Sequence, residues 1–252
     1  MRLGKRIAVV IPARDEEDAI ARVIGDIPAW VDETIVADNG SRDETAARAS
    51  AAGARVVPEP EPGYGGACMA GIAAIEQTDI VVFLDGDYSD YPGEMAELVD
   101  PILEDGADMV IGSRVTGERE AGSLTVPQQF GNWLATRLIA LIWRHRYTDL
   151  GPFRAIRKDA LDRLRMADRN YGWTVEMQVR AAEEGLRTTE VPVRYRQRIG
   201  VSKVSGTVSG SVKAGYKILY IIARQVMMRA FSGRTTGTSP AATSTQPRDS
   251  SL

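Results

Sequence analysis

Three carboxylates follow the most apolar stretch of the sequence, in DIVVFLDGDYSD. Residues 80–84 have the length and composition of a buried strand, and Asp85, Asp87 and Asp90 come directly after them. Residues i and i+2 of an extended chain point the same way, and Gly86 lets the backbone turn between the first two carboxylates. Two carboxylates aimed at one point repel each other unless a cation joins them. An isolated D-x-D is more often a simple helix or turn cap. At the end of a strand, the spacing favours a hard divalent cation, Mg²⁺ or Mn²⁺, bound together with the diphosphate of a nucleotide.

Polar residues also follow two earlier predicted strands, in IPARDEE and ADNGSRDET. Pro12 stops the first of these strands, and Asp38 ends the second, where its carboxylate could accept hydrogen bonds from a nucleobase or a ribose. Ser41 and Asp43 could simply cap the helix that follows. Ligands of open parallel sheets bind beyond the carboxyl ends of the strands. These residues are therefore expected to surround one binding site.

A glycine-rich segment, EPGYGGACMAG, precedes another predicted helix. Gly63, Gly65 and Gly66 would permit close approach of a ligand to the helix N-terminus. The segment is not the dinucleotide fingerprint, because G-x-G-x-x-G requires glycine where Cys68 stands, and the phosphate-binding P-loop pattern is also absent. The glycines indicate a ligand site without identifying the ligand.

Strands and helices alternate over the first half of the chain. Apolar runs predict strands at residues 6–12, 34–40, 54–60, 79–85 and 107–114. Helical periodicity lies between them, at residues 15–27, 41–53, 65–77 and 92–106. This alternation is typical of βαβ units, so the fold class is predicted to be α/β, with a mainly parallel, Rossmann-like central sheet flanked by helices.

The second half contains longer helical patterns and one strand. Helices are predicted at residues 126–146, 157–166, 174–185 and 211–231, with a strand at 188–198. Residues 233–252 are rich in Ser, Thr and Pro, lack apolar periodicity and are predicted to be disordered. One domain is thus expected over residues 1–232, with two halves that meet at about residue 114, followed by the tail.

Composition and charge narrow the class of protein. Of 252 residues, 44% are hydrophobic and 26% charged, as in a globular domain with a substantial core. The net charge of −3 hides an acidic first half, net −15 over residues 1–113, and a basic second half, net +12. The asymmetry fits either two attracting surfaces or an acidic half for a cation and a basic half for phosphate. The single cysteine, Cys68, excludes an internal disulfide and fits a reducing compartment. No signal peptide or membrane-spanning run is predicted.

Two predicted helices combine apolar stripes with arginines and lysines. The first carries Phe130, Trp133, Leu134, Leu138, Leu141 and Trp143 with Arg137, Arg144 and Arg146, and the second carries Tyr216, Leu219, Ile222 and Val226 with Lys213, Lys217 and Arg224. Such stripes either pack in the core or lie in a bilayer interface. Since LIALIW is apolar on more than one face, we expect core on one side and lipid or a partner on the other.

The ordered set VVIPARDEEDAI, IVADNGSRDET, GYGGACMAG, FLDGDYSDYP and VIGSR resembles glycosyltransferase family 2, whose members have the GT-A fold. The resemblance covers residues 6 to about 230 and is strongest to bacterial enzymes related to dolichyl-phosphate mannose and glucose synthases, through DLGPFRAIRKDAL, YGWTVEMQVRAAEEGLR and VPVRYRQRIGVSKVSGT. It implies an inverting transfer of a sugar from a UDP- or GDP-linked donor to an acceptor such as polyprenyl phosphate.

The resemblance also assigns candidate residues to the donor. It implies that Asp85 and Asp87 hold the metal. The donor nucleotide would be contacted by Pro12, Ala13, Arg14, Glu16, Asp38, Gly65, Asp85, Gly86 and Asp87. One position departs from the pattern, because Ser89 stands where the mannose synthases have a metal-binding glutamine. We therefore expect a metal shell that is weaker or is completed differently, and a mannose donor is not implied. The resemblance further implies that residues 1 to about 114 form a donor half, which binds the nucleotide sugar, and that residues 115–232 form an acceptor half.

Basic and acidic residues of the second half are candidates for the transfer step. Arg114 in GSR, with Arg198 and Lys203 in the loop RIGVSK, would offset charge on the departing diphosphate. A hydroxyl acceptor needs a base, whereas an anionic polyprenyl phosphate does not. Asp149 and Glu176 match family positions, where each could act as that base or orient the surrounding loops.

Alternative functions remain open at the level of the sequence. A nucleotidyltransferase would use a similar sheet, but IPARDEE lacks the G-x-G-x-R that such enzymes carry. A non-catalytic binder of nucleotide sugar or lipid is disfavoured by the intact D-x-D and GSR. The same transfer to a soluble hydroxyl acceptor is the alternative to polyprenyl phosphate that the sequence does not exclude. No nucleic-acid motif is present. The expected location is the cytoplasm, with peripheral contact to the inner membrane face.

Overall fold

The computed structural model describes residues 1–200 and 219–227, and the expectations for Lys203, for Lys213 and Lys217 and for the tail 233–252 lie outside them. The strands are β1 (Ile7–Ala13), β2 (Glu33–Asp38), β3 (Arg55–Pro58), β4 (Ile80–Phe83), β5 (Met109–Ser113), β6 (Arg154–Arg157) and β7 (Thr188–Pro192). The helices are α1 (Ile20–Gly25), α2 (Thr45–Ala51), α3 (Tyr64–Ala74), α4 (Met95–Leu103), α5 (Val126–Trp143), α6 (Lys158–Leu164) and α7 (Trp173–Glu183). Residues 219–227 are also helical.

One seven-stranded sheet organises the described residues, in the order β3-β2-β1-β4-β6-β5-β7. All pairings are parallel except those of β6, which runs antiparallel to both β4 and β5. The predicted α/β class with a mainly parallel sheet is confirmed. The antiparallel direction of β6 places its first residue, Arg154, opposite Phe83, at the edge where the parallel strands end.

Alternating side chains of the strands build a core on each face of the sheet. Ile7, Val9 and Ile11 pack on the face covered by α1 and α4, whereas Val10 packs on the other face with residues of α3, α5 and α7. All four of these side chains are fully buried. The carboxyl ends of β1, β2, β4 and β5 are thereby fixed at one edge of the sheet.

The first predicted helix begins later than expected, at Ile20 instead of residue 15. The backbone N–H groups of Asp15 and Glu16 donate to the hydroxyls of Ser41 and Thr45, at 2.9 and 2.7 Å. Ser41 therefore fixes the loop after β1 instead of capping α2. Side chains that bind these N–H groups favour a loop over a first helical turn.

The second half also differs from the prediction in two places. Strand β6 was not expected, because its four residues, RAIR, have arginine at both ends and run directly into a helical pattern. The last strand ends at Pro192, six residues before its predicted end, because the N–H groups farther along donate to other segments, that of Tyr195 to the carbonyl of Glu118 at 2.9 Å. Beyond it, Arg196 N–H donates to the carbonyl of Ser89 at 3.0 Å, which carries the chain to the D-x-D loop.

Candidate active site

Asp85 and Asp87 lie just beyond β4, as predicted, and each is held by named partners. The hydroxyl of Tyr64 donates to Asp85 Oδ1 at 3.1 Å. Burial, and then the charge of Asp87, raise the pKa of Asp85 to about 6. Asp87 Oδ1 accepts from the N–H and the hydroxyl of Ser89, at 2.9 and 2.6 Å, while its Oδ2 pairs with Arg198 Nη1 at 2.9 Å. Two carboxylates thus share a buried place that favours positive charge.

Asp90, the third carboxylate of the motif, is buried close to this pair. Its Oδ2 accepts from the N–H of Asp85 at 3.3 Å, and its Oδ1 has no hydrogen-bond partner among the described residues. Burial raises its pKa well above the ordinary value, and the charges of Asp85 and Asp87 add to this effect. The concentration of carboxylate oxygens, one of them unpartnered, fits the oxygen ligands that Mg²⁺ and Mn²⁺ take.

The protein supplies only part of a metal shell. Within residues 1–200 and 219–227, no group of three His, Cys, Asp or Glu side chains is arranged to hold a metal ion by itself. A divalent cation at Asp85 and Asp87 would need further oxygen ligands, which a bound diphosphate can provide. Ser89, at the departure from the family pattern, directs its hydroxyl to Asp87 and so orients that carboxylate.

A cavity of about 410 Å³ opens at this edge of the sheet. Its lining includes most of the predicted donor-site residues and two of the predicted cations, namely Pro12, Ala13, Arg14, Glu16, Asp85, Gly86, Asp87, Arg114 and Arg198. Asp38, Gly65, Asp149 and Glu176 are not in the lining. The structure therefore brings the residues after β1, β4 and β5 to one cavity, as strand-end reasoning predicts.

At the end of β2, the cavity is lined by Asn39 instead of the expected Asp38. Asp38 Oδ1 accepts from the N–H of Ser41 at 3.2 Å. Asn39 donates to the carbonyls of Glu59 and Glu61, at 3.0 and 2.8 Å, and accepts from the N–H of Gly63 at 2.7 Å. Asn39 thereby fixes the loop that forms one wall of the cavity. Its signal in the sequence is weak, because an asparagine directly before a glycine is typical of a simple tight turn.

Gly65 serves helix packing instead of the expected close approach to a ligand. A Cβ at this position would overlap the backbone carbonyl of Asp168. The N–H groups of Gly65 and Gly66 donate to the carbonyls of Asn170 and Arg169, at 3.3 and 2.9 Å. The beginning of α3 is therefore covered by the loop around residue 169, and these donors are already used.

Arg114 and Asp149 form a close, nearly buried pair beside the cavity. The guanidinium donates to both carboxylate oxygens at 2.7 Å, and the Arg114 N–H adds a third bond at 2.8 Å. Burial alone would raise the pKa of Asp149, but the charge and hydrogen bonds of Arg114 outweigh it and hold that pKa below its ordinary value. The Asp149 side chain is fully buried. Both of its oxygens are engaged, which favours an orienting role over that of a base.

Glu176 lies in α7 and is likewise fully engaged. One carboxylate oxygen accepts from the N–H groups of Ala167 and Asp168, at 3.0 and 2.7 Å, and the other pairs with Arg180 at 2.8 Å. Its side chain is fully buried. Glu176 holds the loop that covers α3 and is not in the lining of the cavity, which is compatible with the loop-orienting alternative.

Aromatic side chains absent from the sequence prediction complete the site. Tyr64 and Tyr195 line the cavity. The guanidinium of Arg114 lies 5.0 Å from the centre of the Tyr195 ring, close enough for a cation–π contact. The tyrosine in GYGG was the available signal for Tyr64, whereas Tyr195 looked like one residue of an alternating strand.

Comparisons with known proteins agree with this geometry. The family model described as glycosyl transferase family 2 matches residues 8–165. An uncharacterized glycosyltransferase of Mycobacterium tuberculosis is 40% identical over 219 residues, which cover 84% of this chain and 95% of that protein. A dolichyl-phosphate hexose transferase of Haloferax volcanii is 32% identical over 210 residues, covering 81% and 89%.

A solved structure has the same fold. Glucosyl-3-phosphoglycerate synthase of Mycobacterium tuberculosis, crystallised with Mn²⁺, UDP-glucose and phosphoglyceric acid, superposes with a TM-score of 0.68 at 28% identity, covering 87% of this chain and 80% of its own. The fold, the strand-end carboxylates and the family match lead to one conclusion. The chain belongs to glycosyl transferase family 2 and is a glycosyltransferase.

Proposed function

We propose that this enzyme transfers a sugar, with inversion, from a nucleoside diphosphate sugar to a polyprenyl phosphate at a membrane surface. In the transfer, an acceptor phosphate oxygen forms a bond to the anomeric carbon as the bond to the diphosphate oxygen breaks. The electron pair leaves with the nucleoside diphosphate. A UDP-linked donor is favoured because the structural neighbour was crystallised with UDP-glucose, and the acceptor class is that named for the Haloferax relative.

The positions and partners of the carboxylates are the observation that supports this choice of acceptor. Among the described residues, the carboxylates that line the cavity are Glu16, Asp85 and Asp87, all in the donor half. Asp149 and Glu176 of the acceptor half are fully buried and paired with arginines. A hydroxyl acceptor needs a base within hydrogen-bond reach, whereas a phosphate monoester is already ionised. The arrangement therefore supports an anionic acceptor that attacks without a base.

Asp85 and Asp87 would hold Mn²⁺ or Mg²⁺ against the donor. When bound, the cation offsets the negative charge that develops on the departing diphosphate. Arg198, which lines the cavity and pairs with Asp87, is proposed to add to this effect, and Lys203 is proposed to act with it. Arg114 is held by Asp149, so we assign it to positioning Tyr195 and the wall of the cavity.

The exposed face of α5 is the proposed membrane contact. Phe130, Trp133 and Leu141 are 60%, 52% and 79% exposed, while Ala135 and Ile139 of the same helix are buried. Trp143, expected at this surface, instead donates from its indole to Glu183 at 2.9 Å. The first turn of α5 supplies Gln128 to the cavity, so the apolar face begins beside the site. No helix of the described residues is long and apolar enough to cross a membrane.

The acceptor is tested by product formation. The purified enzyme is incubated with UDP-glucose or GDP-mannose, Mn²⁺, and either a polyprenyl phosphate in detergent or 3-phosphoglycerate. We expect release of the nucleoside diphosphate and a glycolipid product only with the polyprenyl phosphate. Product from 3-phosphoglycerate alone would instead establish a soluble acceptor, the second candidate, which the similarity to the synthase favours. Asp87→Ala serves as the inactive control.

A further inference from the structure

The two oxygens of Asp87 have different partners. Oδ1 accepts from both the N–H and the hydroxyl of Ser89, whereas Oδ2 pairs with Arg198 Nη1 at 2.9 Å. The Asp87 side chain is 4% exposed and that of Arg198 is 29% exposed. A cation that enters the cavity therefore meets Asp87 through Oδ2, because Oδ1 already has two donors.

The backbone around Arg198 is fastened to the same loop. The N–H of Ile199 donates to the carbonyl of Asp87 at 2.9 Å, and that of Arg196 donates to the carbonyl of Ser89 at 3.0 Å. The Arg196 guanidinium also stacks 3.4 Å from the centre of the Tyr88 ring. The Cα of Arg198 is thus held near Asp87, while its long and partly exposed side chain can change rotamer.

We infer that Arg198 and the divalent cation compete for the same oxygen of Asp87, so that the guanidinium leaves Oδ2 when the metal binds. Two cations on one carboxylate oxygen repel each other, and the displaced guanidinium remains tethered at the wall of the cavity. There it would meet the diphosphate that arrives with the metal. Only this last step rests on the proposed function, since the exchange at Asp87 concerns the cation and the protein alone.

Binding of Mn²⁺ without any nucleotide tests the exchange. Free Mn²⁺ is measured by electron paramagnetic resonance during titration of the wild type and of Arg198→Met. Removing the competing guanidinium should strengthen Mn²⁺ binding about tenfold or more, since tenfold is near the lower end of what a hydrogen bond between charged groups contributes. Asp87→Asn should weaken Mn²⁺ binding in the same assay.

A matched control separates direct competition from a general effect of charge. Arg194 lies four residues earlier and pairs with Glu94 instead of Asp87. Arg194→Met removes the same charge from the same segment and should leave Mn²⁺ binding within about twofold of the wild type. Equal gains in both variants, or no gain in Arg198→Met, would overturn the inference.

The same variant should show the opposite effect on nucleotide. With saturating Mn²⁺, UDP should bind Arg198→Met more weakly than the wild type, because the displaced guanidinium is missing. Tighter metal with weaker UDP is a pair of signs that loss of folding does not produce. Circular dichroism checks the fold, and Arg198→Gln replaces Arg198→Met if the latter does not fold. Because no sugar is transferred in these titrations, a wrong acceptor in the proposed function would leave their results unchanged.

Discussion

At the scale of residues, four carboxylates in or near the site fall into two groups. Asp149 and Glu176 are fully buried, and arginines engage their oxygens. Asp85 and Asp87 instead line the cavity, where burial and mutual repulsion raise the pKa of Asp85 to about 6. Buried ion pairs mainly fix geometry, and closely placed carboxylates favour a cation. Asp87 is also paired with an arginine, Arg198, so access to the cavity, and neither residue type nor an arginine partner, separates the two groups.

Replacement of Asp149 should lower the stability of the folded protein. Asp149→Asn leaves the buried Arg114 without its anion and should cost about 3–5 kcal/mol of unfolding free energy, measured by urea denaturation at pH 7. Because pairing lowers the pKa of Asp149, the difference from the wild type should narrow as pH falls through that lowered value. The control Asp159→Asn breaks an exposed pair with Arg157 and should cost about 0.5 kcal/mol or less.

Asp149 would instead be a base if Asp149→Asn left the unfolding free energy and nucleotide binding unchanged and abolished turnover. Asp149→Asn combined with Arg114→Met should cost less than the sum of the two single changes, because the pair is then removed together.

Replacement of Asp87 should lower the rate of sugar transfer. Asp87→Ala removes the carboxylate oxygen that faces the cavity, so transfer should fall at least about 100-fold, equivalent to roughly 2.7 kcal/mol of transition-state stabilisation. Release of UDP at saturating Mn²⁺ provides the measurement, and the exposed Asp105→Ala is the control. An Asp87→Ala enzyme with more than about a tenth of wild-type turnover would show that this carboxylate does not hold the metal.

At the scale of elements, the site depends on loops that backbone hydrogen bonds fix. Asn39 holds the loop through Gly63, and Glu176 holds the loop that covers α3. The segment after β7 is bound to the D-x-D loop through Ile199 and Arg196. These hydrogen bonds join different segments of the chain, so a substitution in one loop should also shift the cavity walls that the other segments form.

Gly65→Ala tests the contact between α3 and its covering loop. An added Cβ would overlap the carbonyl of Asp168, so the variant should lose about 1–3 kcal/mol of stability. Gly131→Ala in α5 is the matched control, because a Cβ there meets no atom within 4 Å and alanine favours helix by about 1 kcal/mol. Thermal or urea unfolding of both variants gives the comparison. Equal stability of the two would mean that the loop moves away at little cost.

The exposed face of α5 gives a prediction about membranes. The enzyme should co-sediment with anionic vesicles at low salt, since each nearby arginine contributes about 1 kcal/mol, and salt should remove only the electrostatic part. Trp133→Ser should abolish the part of vesicle binding that resists salt. Val115→Ser, at an exposed apolar residue in a loop away from α5, should leave that part unchanged. Wild-type protein that stays in the supernatant at low salt would show that this face does not bind lipid.

The sequence predicted the strand-end part of the site better than its surroundings. Asp85, Asp87 and Arg114 were found because each follows an apolar run, and the direction of parallel strands brings such residues together. Asp149 and Glu176 also matched family positions, but their partners, Arg114 and the N–H groups of Ala167 and Asp168, depend on tertiary contacts. The acid-rich start of the first predicted helix was likewise overridden by side chains some 26 residues away.

At the scale of the whole molecule, the charge asymmetry fits the position of the site. The acidic first half supplies the carboxylates after β4, and the basic second half supplies Arg198 opposite them. The 2.9 Å contact between Arg198 and Asp87 joins the two halves inside the cavity. Attraction between the halves and binding of a charged ligand are therefore two uses of the same charges.

The tail 233–252 lies outside the described residues, and its composition predicts that it is dispensable. It is too polar to offset the entropy of ordering. A chain that ends at Ser232 should melt at the temperature of the full chain and transfer sugar at the same rate. Differential scanning calorimetry and the transfer assay provide the measurements. A clear loss in either would mean that the tail packs against the domain.

The position of β6 has a consequence for synthesis on the ribosome. Strand β5 pairs only with β6 and β7 among the described strands, and both are translated after it. Strand β4 pairs with β1 on one side, and on the other side its partner is again β6, which is translated later. The first half of the chain therefore cannot complete its sheet when Arg114 emerges. One edge of β4 and one edge of β5 stay open for another 40 or so residues, until Arg154–Arg157 arrives, and the other edge of β5 stays open until Thr188–Pro192. During that interval the edges are open to pairing with other chains, which makes this a natural point for chaperones to act.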